Sequence, residues 1–289
     1  MKLCCEENSK PDDYRGKIVD KRYKILHYLG KGSTGVVYAA YDLKDKKEVA
    51  IKILRSKCKK SPMNLKYIDR FKKEAKAINF IEHEHIAKVE KLKLSEPISY
   101  IISEYIKGPS LSGCIGYKEG FMLNQIIKYI QQILSAVGYF HKKGVIHKDI
   151  RPQNILLTER DEIKIIDFGV ADFPDEESKL PFYREMGAIH YLSPELIRGD
   201  YYDKRSDIYS IGILLYRLLT GTVPFDAHRS IIIGIMHNKK MPRPVKSIVK
   251  YASEELDRIT LKALEKDPGK RYQSAEDMLI DINNYAETM

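Results

Sequence analysis

The stretch from His147 to Asn154, H-K-D-I-R-P-Q-N, constrains this chain more than any other. An apolar run, Ile155 to Leu157, follows at once. After a short hydrophilic turn comes a second, Ile163 to Ile166, and then Asp167-Phe168-Gly169. Two short apolar runs around a polar turn read as strand, turn, strand. Such a hairpin, with an Asp and an Asn before its first strand and an Asp after its second, can aim three oxygen-bearing side chains at one place. Asn154 and Asp167 are hard oxygen ligands of the kind that Mg²⁺ takes alongside phosphates. Asp149 is spaced to accept a proton from an incoming hydroxyl.

Composition sets the outer bounds. A chain of 289 residues, 43% of them hydrophobic, buries an ordinary core, and its length suits a single two-lobed unit. The formal charge of +10, mostly lysine, reads as a solvated basic surface, with attraction to polyanions as the alternative. Cys4, Cys5, Cys58 and Cys114 form no C-x-x-C pair, which speaks against zinc and for free thiols in a reducing cytoplasm. No apolar run approaches the about 20 residues that a spanning helix needs. Met1 to Cys5 lacks the apolar core of a secretory signal, so residues 1–17 read as a polar tail; acylation of Cys4 and Cys5 is the alternative.

From Tyr23 the chain reads as a β-meander. Tyr23–Leu29 is a predicted strand that runs into Gly30-Lys31-Gly32-Ser33-Thr34-Gly35-Val36-Val37; predicted strands over Val37–Tyr41 and Val49–Leu54 follow. Glycines between antiparallel strands are neither a dinucleotide fingerprint, where a helix follows, nor a Walker A loop, which ends Gly-Lys-Ser/Thr. They suit a flap whose backbone N–H groups approach phosphate oxygens. Met63–Phe80 carries Leu65, Ile68, Phe71, Ala75 and Ile78 at helical spacing, with Glu74 among lysines. Further strands are predicted over Val89–Leu94 and Ser99–Tyr105. A helix over Asn124–Lys143 buries Ile126, Ile127, Ile130, Ile133, Leu134, Val137 and Phe140 and ends at Gly144. His83-Glu84-His85 has the look of a metal pair, but no further ligand set stands nearby. Helices over Ser206–Leu219, apolar nearly all round and so buried, Ser253–Leu264 and Ser274–Tyr285 complete the chain.

Together the flap, Val49-Ala50-Ile51-Lys52, H-K-D-I-R-P-Q-N and D-F-G resemble the protein kinase family, its V-A-I-K, H-R-D-x-x-x-x-N and D-F-G motifs in order and at the family spacing. The resemblance runs from about residue 20 to about 285 and is nearest to bacterial-type serine/threonine kinases. It implies an α+β, two-lobed fold over residues 18–289. The N-lobe, to about 106, is a five-stranded antiparallel sheet with one helix; the C-lobe is mainly helical. ATP and Mg²⁺ are the implied cofactors. Asp149 becomes the catalytic base, with Arg151 near the γ-phosphate, Lys52 on the α- and β-phosphates with Glu74 as its partner, and Asn154 and Asp167 on the metal. Leu29, Gly30, Lys31, Gly32, Ser33, Thr34, Gly35, Val36, Val37, Ala50, Ser103, Glu104, Ile106 and Leu156 line the nucleotide. Backbone groups of Glu104 and Ile106 meet the adenine edge and Leu156 forms its floor. Ser103 falls at the gatekeeper position, which predicts an open pocket behind adenine. Glu195 of Ser193-Pro194-Glu195 is expected to pair with Arg271, and Asp207 to bond the catalytic-loop backbone.

Departures matter as much. Lys148 stands where the family usually has Arg and loses its bidentate fork. Arg151 stands where serine/threonine kinases usually carry Lys. Ala188 replaces a Thr that braces the catalytic Asp. No Thr lies between Asp167 and Glu195, and the acid Asp172, with Lys148, is expected to substitute for an activating phosphate. The expected function is transfer of the ATP γ-phosphate to Ser/Thr hydroxyls of a protein partner, in the cytoplasm, with no nucleic acid and no membrane span. The alternatives are a nucleotide-binding pseudokinase, a tyrosine or dual-specificity kinase, and a small-molecule phosphotransferase; the last is opposed by Ser-Pro-Glu and Asp207.

Overall fold

The computed structural model describes residues 14–32, 35–54, 81–94, 98–115, 121–171, 173 and 189–289. The chain divides into two compact units, Met1–Ala75 with Val89–Tyr105, and Lys76–Lys88 with Ile106–Met289. Among the described residues no helix is long and apolar enough to cross a membrane.

The first unit is an antiparallel sheet of β1 (Ile18–Val19), β2 (Tyr23–Lys31), β3 (Gly35–Asp42), β4 (Lys47–Leu54), β5 (Val89–Lys93) and β6 (Tyr100–Glu104). The strand order is β1-β2-β3-β4-β6-β5, six strands where five are read from the sequence. The extra strand has two residues, too few for any alternation to register. Alternate side chains point to opposite faces, and one face builds the core: Tyr23 and Ile25, Val36, Tyr38 and Ala40, Val49, Ile51 and Ile53, Tyr100 and Ile102. Residues 14–17 join this sheet rather than forming part of a loose tail. Gly16 N–H donates to Ile25 O at 3.0 Å, Ile25 N–H to Lys17 O at 2.9 Å, and Tyr14 meets the Tyr38 ring edge-on at 6.0 Å. The expected helix over 63–80, with Glu74, lies outside the described residues.

Two acids fasten the turns of this sheet. Asp42 is fully buried and accepts the Arg22 guanidinium at 2.6–3.0 Å and the N–H groups of Lys44 and Asp45. The Arg22 hydrogen bonds pull its carboxyl down to about 2. Asp20, between β1 and β2, accepts Lys93 Nζ at 2.6 Å and the Tyr100 hydroxyl at 2.5 Å, which likewise lower it to about 2. The lysines Lys91 and Lys93 on β5 also discourage a further strand from pairing at that edge.

The second unit holds α1 (Leu111–Cys114), α2 (Leu123–Lys142), the hairpin β7 (Ile155–Leu157) and β8 (Ile163–Ile165), α3 (Pro194–Arg198), α4 (Arg205–Thr220), α5 (Ser230–Lys239), α6 (Glu254–Ala263) and α7 (Ala275–Ala286). Every apolar position predicted for the face of α2 is buried, and Gly144 ends it at φ +75°. α4 is buried from Ser206 to Tyr216, as an all-round apolar helix must be. Gly212 lets α6 approach, since a Cβ there would lie 2.9 Å from that of Ala263. Ser253 and Ser274 cap α6 and α7, accepting the N–H groups of Leu256 and Asp277 at 3.1 Å. His83 and His85 belong to this unit. His83 Nδ1 accepts the His85 N–H at 3.1 Å, its Nε2 meets Ser135 Oγ at 3.2 Å, and Ile165 N–H donates to His85 O. Both ring nitrogens of His83 are therefore engaged in holding a chain crossing beside β8.

Candidate active site

The loop before β7 is held from beneath by α4. Asp207, in the first turn of that helix, is fully buried. Its carboxylate accepts the backbone N–H groups of His147 and Lys148, each at 2.8 Å, and meets His141 Nε2 at 2.9 Å. Burial pushes this carboxyl up, but the His141 hydrogen bond and the neighbouring histidines outweigh it, so it stays below the usual range. The anchored amides allow a tight reversal in which Lys148 takes φ +63°.

Asp149 comes next. Its N–H donates to His147 Nδ1 at 3.2 Å. Arg151 Nε lies 3.0 Å from Asp149 Oδ1, and Asn154 Nδ2 donates to Asp149 Oδ2 at 2.7 Å and to its backbone oxygen at 2.9 Å. Pro152 opens the single 3-10 turn that brings Asn154 back toward Asp149. Across the hairpin Ile155 pairs with Ile165, and Ile166 N–H donates to Asn154 O at 2.9 Å. Asn154 and Asp167 therefore stand at the same end of it. Asp167 is at φ +63° and its Oδ1 accepts the Gly169 N–H at 3.1 Å. The Phe168 ring is buried against those of His147, at 4.7 Å, and Phe140, at 5.7 Å. Burial lowers the pKa of His147, so it packs as a neutral ring.

The donor set suits a hard cation. Asn154 spends its amide nitrogen on Asp149, which leaves the amide oxygen to offer, and Asp167 adds a carboxylate. Among the described residues no cluster of three or more His, Cys, Asp or Glu side chains could hold a metal by itself. Two oxygen donors without such a cage match Mg²⁺, which keeps waters and takes substrate phosphates as further ligands.

In the sheet unit Val37, Ala50, Lys52 and Ser103 share one face, whereas Val36, also expected to line the nucleotide, packs into the core on the other face beside Ile53, because neighbouring residues of a strand point to opposite sides. Core-facing Val49, Ile51 and Ile53 on β4 leave Ala50 and Lys52 on the opposite face. Val37 is the register partner of Lys52, and Ser103 of Ala50. Lys52 is 8% exposed. The glycine stretch continues β2 and β3: Gly30 pairs with Val37, Lys31 with Val36, and Gly32 N–H donates to Gly35 O at 3.0 Å. At Gly35 a Cβ would come 2.4 Å from Ile53 O, whereas at Gly30 it would meet nothing within 4 Å. Leu29 is exposed, and Glu104 ends β6. Ile106 and Leu156 belong to the helical unit, Ile106 buried and Leu156 half-buried on β7 opposite Lys164. Ser33, Thr34, Glu74, Asp172 and Ala188 lie outside the described residues.

The pairing expected between Glu195 and Arg271 is present and bidentate, Nη1 to Oε1 at 2.7 Å and Nη2 to Oε2 at 2.8 Å, with Ser206 Oγ donating to the same carboxylate at 2.6 Å. Burial raises the Glu195 carboxyl, but Arg271 and Ser206 more than reverse this and hold it low. Residues 23–281 match the sequence model of the protein kinase domain.

The chain belongs to the protein kinase family.

Several curated relatives of this chain carry names of the serine/threonine class. A probable serine/threonine-protein kinase of Clostridium perfringens (strain 13 / Type A) is 36% identical over 267 residues, 92% of this chain and 38% of its own. PrkC, a serine/threonine-protein kinase of Bacillus subtilis (strain 168), is 36% identical over 267 residues, 92% of this chain and 41% of its own. PknB, a serine/threonine-protein kinase of Mycobacterium tuberculosis (strain ATCC 25177 / H37Ra), is 33% identical over 267 residues, 90% and 42% of the two chains. The chain thus spans about two-fifths of the length of the relatives it matches.

Four contributors escaped the sequence reading: His141 on Asp207, Ser206 on Glu195, Tyr202 under Lys148, and Gly108. A Cβ at Gly108 would fall 1.8 Å from Leu157 O. A histidine at the end of an apolar helix face was the only local signal for His141; the other three carried none.

Proposed function

We propose that this kinase transfers the γ-phosphate of ATP to serine or threonine hydroxyls of proteins. One observation carries the reading: the Asp149 carboxylate, flanked by Arg151 and the Asn154 amide, stands in the loop leading to the hairpin that ends at Asp167. Asp149 orients the acceptor hydroxyl and takes its proton, a role worth roughly 10²–10⁴ in rate. The Arg151 guanidinium keeps that carboxylate aimed and supplies positive charge near the transferred group. Asn154 Oδ1 and the Asp167 carboxylate are the groups that would hold Mg²⁺, which when bound neutralises charge developing on the phosphates. In the same reading Lys52, with Glu74 as its partner, grips the phosphates beneath the Gly30–Val37 flap. Val37, Ala50, Ser103 and Leu156 meet the adenine, whose edge bonds the backbone of Glu104 and Ile106. The serine/threonine preference is supported by the names of the relatives and by Tyr191-Leu192-Ser193-Pro194-Glu195. The reaction belongs in the cytoplasm, where Mg-ATP is supplied.

A pseudokinase is the second reading, favoured by Ala188 and Lys148. Incubation with labelled Mg-ATP and casein, beside Asp149→Asn, separates the two. Phosphoserine and phosphothreonine are expected, with the variant down by at least about 10²-fold. Nucleotide binding without transfer supports the pseudokinase, and phosphotyrosine the tyrosine or dual-specificity alternative.

A further inference from the structure

We propose that the outer face of α5, with the segment that follows it, docks on an anionic membrane surface; the inference does not depend on the phosphotransfer reading above. Residues 227–253 carry Arg229, Lys239, Lys240, Arg243, Lys246 and Lys250 and no Asp or Glu. All six cations are exposed. Large apolar side chains are exposed among them: Ile231 at 64%, Ile235 and Met241 at 51% each, and Ile232 at 40%. Single exposed apolar residues are ordinary, but a group of them rimmed by one sign of charge marks an interaction surface.

The packing of α5 fixes which side faces out. A Cβ at Gly234 would lie 3.2 Å from Ile197 Cγ2 on α3, and His237 Nδ1 meets the Tyr209 hydroxyl of α4 at 2.9 Å. Ile233, Gly234 and His237 are the buried residues of the helix. At 3.6 residues per turn, Ile231, Ile232, Ile235 and Lys239 fall within an arc of about 100° on the opposite side. The chain leaves α5 at Lys240 in an extended conformation. Alternate residues of extended chain share a side, and here Met241 and Arg243 are exposed while Pro242 between them is buried. The acids that flank this face are engaged: Asp200 pairs with Arg198 at 2.5 Å, Asp226 meets His190 Nε2 at 3.1 Å, and Glu254 takes Lys246 Nζ at 3.1 Å. Lys239, Lys240 and Arg243 therefore offer their charge outward. The mixture of side chains selects the partner. Lysine is depleted in protein–protein interfaces. A bilayer surface takes lysine and isoleucine together: apolar side chains enter the boundary between headgroups and acyl chains, while lysine stems lie along the apolar layer and hold their ammonium groups at the lipid phosphates. Anionic headgroups supply the counter-charge.

The test sediments the full chain with vesicles of phosphatidylcholine, with and without about 30% phosphatidylserine. Partition onto the anionic vesicles is expected to exceed that onto the neutral ones at least about tenfold, and to fall about tenfold as salt rises from about 0.1 M to about 0.5 M. Lys239→Glu/Lys240→Glu and Ile231→Ser/Ile235→Ser should each lower it at least about tenfold. Lys24→Glu/Lys44→Glu, the same charge reversal on exposed residues of the sheet, should stay within about twofold. Equal partition onto both vesicles, undiminished binding by the isoleucine variant, or an equal loss in the sheet variant would each overturn the proposal. So would binding to soluble poly-glutamate but to neither vesicle, which would assign the face to an acidic polypeptide. A dimer in sedimentation velocity without lipid, dissolved by Ile231→Ser/Ile235→Ser, would overturn it in favour of a second copy of the chain. Thermal melting accompanies every variant; if the isoleucine variant does not fold, Lys239→Glu/Lys240→Glu against the sheet variant decides on the same criteria.

Discussion

At the scale of single residues, glycines show how much a letter in the sequence leaves open. The same letter stands at Gly30 and Gly35, in the flap, and at Gly108, but the space around each differs. A Cβ at Gly108 would enter the Leu157 carbonyl, and that strand cannot retreat, because Leu157 N–H is bonded to Pro109 O at 2.9 Å. Gly108→Ala is therefore expected to cost about 3 kcal/mol or more, read as a fall in thermal midpoint. Gly30→Ala meets open space; it should melt with the parent and show its effect only as a raised KM for ATP. The buried ion pair gives a sharper test. Arg271→Met leaves the Glu195 carboxylate with Ser206 as its remaining side-chain donor, and the expected loss is about 3–5 kcal/mol in urea unfolding. Adding Glu195→Leu should recover part of it, because no uncompensated charge then remains.

At the scale of elements, legibility followed local periodicity. α2 and α4 were readable, α2 by its apolar face at helical spacing and α4 by an apolar run too long for a strand. The β7–β8 hairpin was readable from two apolar triplets around a polar turn. α5 was not, because isoleucines surround it: Ile233 is buried while Ile231, Ile232 and Ile235 are exposed, so no single face stands out. β1 was missed for its length and α3 because five residues carry too little pattern. The helices predicted from Ser253 and from Ser274 begin one residue later, with each serine as the cap. Ser253→Ala and Ser274→Ala are each expected to cost about 1 kcal/mol, measured as a shift in denaturation midpoint at unchanged slope.

At the scale of the whole molecule, buried titratable groups make stability fall as pH drops below neutrality. His237 on α5 is fully buried; desolvation first, then the charges of Lys266 and His190, lower it to about 3. A histidine neutral in the folded chain and protonated in the unfolded one contributes stability above about pH 6.5 that is lost as pH falls. Glu195 and Asp207, held low, remain charged through this range and add a second loss of the same sign only as pH falls below about 4. Between pH 7 and pH 5 His237 should contribute a loss of about 2 kcal/mol, added to that from His147 and His83, which burial also lowers, and His237→Gln should reduce the slope of that part of the profile in urea titrations. The sequence by itself determined the order of most of the longer strands and helices, α5 apart, and the spacing of Asp149, Asn154 and Asp167, because period, turn residues and motif spacing are local properties of a chain. Through family resemblance it also reached the pairs Glu195–Arg271 and Asp207 with the catalytic loop. Only the tertiary structure decided that His141 completes the Asp207 site, that Lys148 rests on the Tyr202 ring, and that Gly108 touches the Leu157 carbonyl. Those contacts join residues far apart in sequence, and their geometry is set by how helices and strands pack rather than by any pattern along the chain.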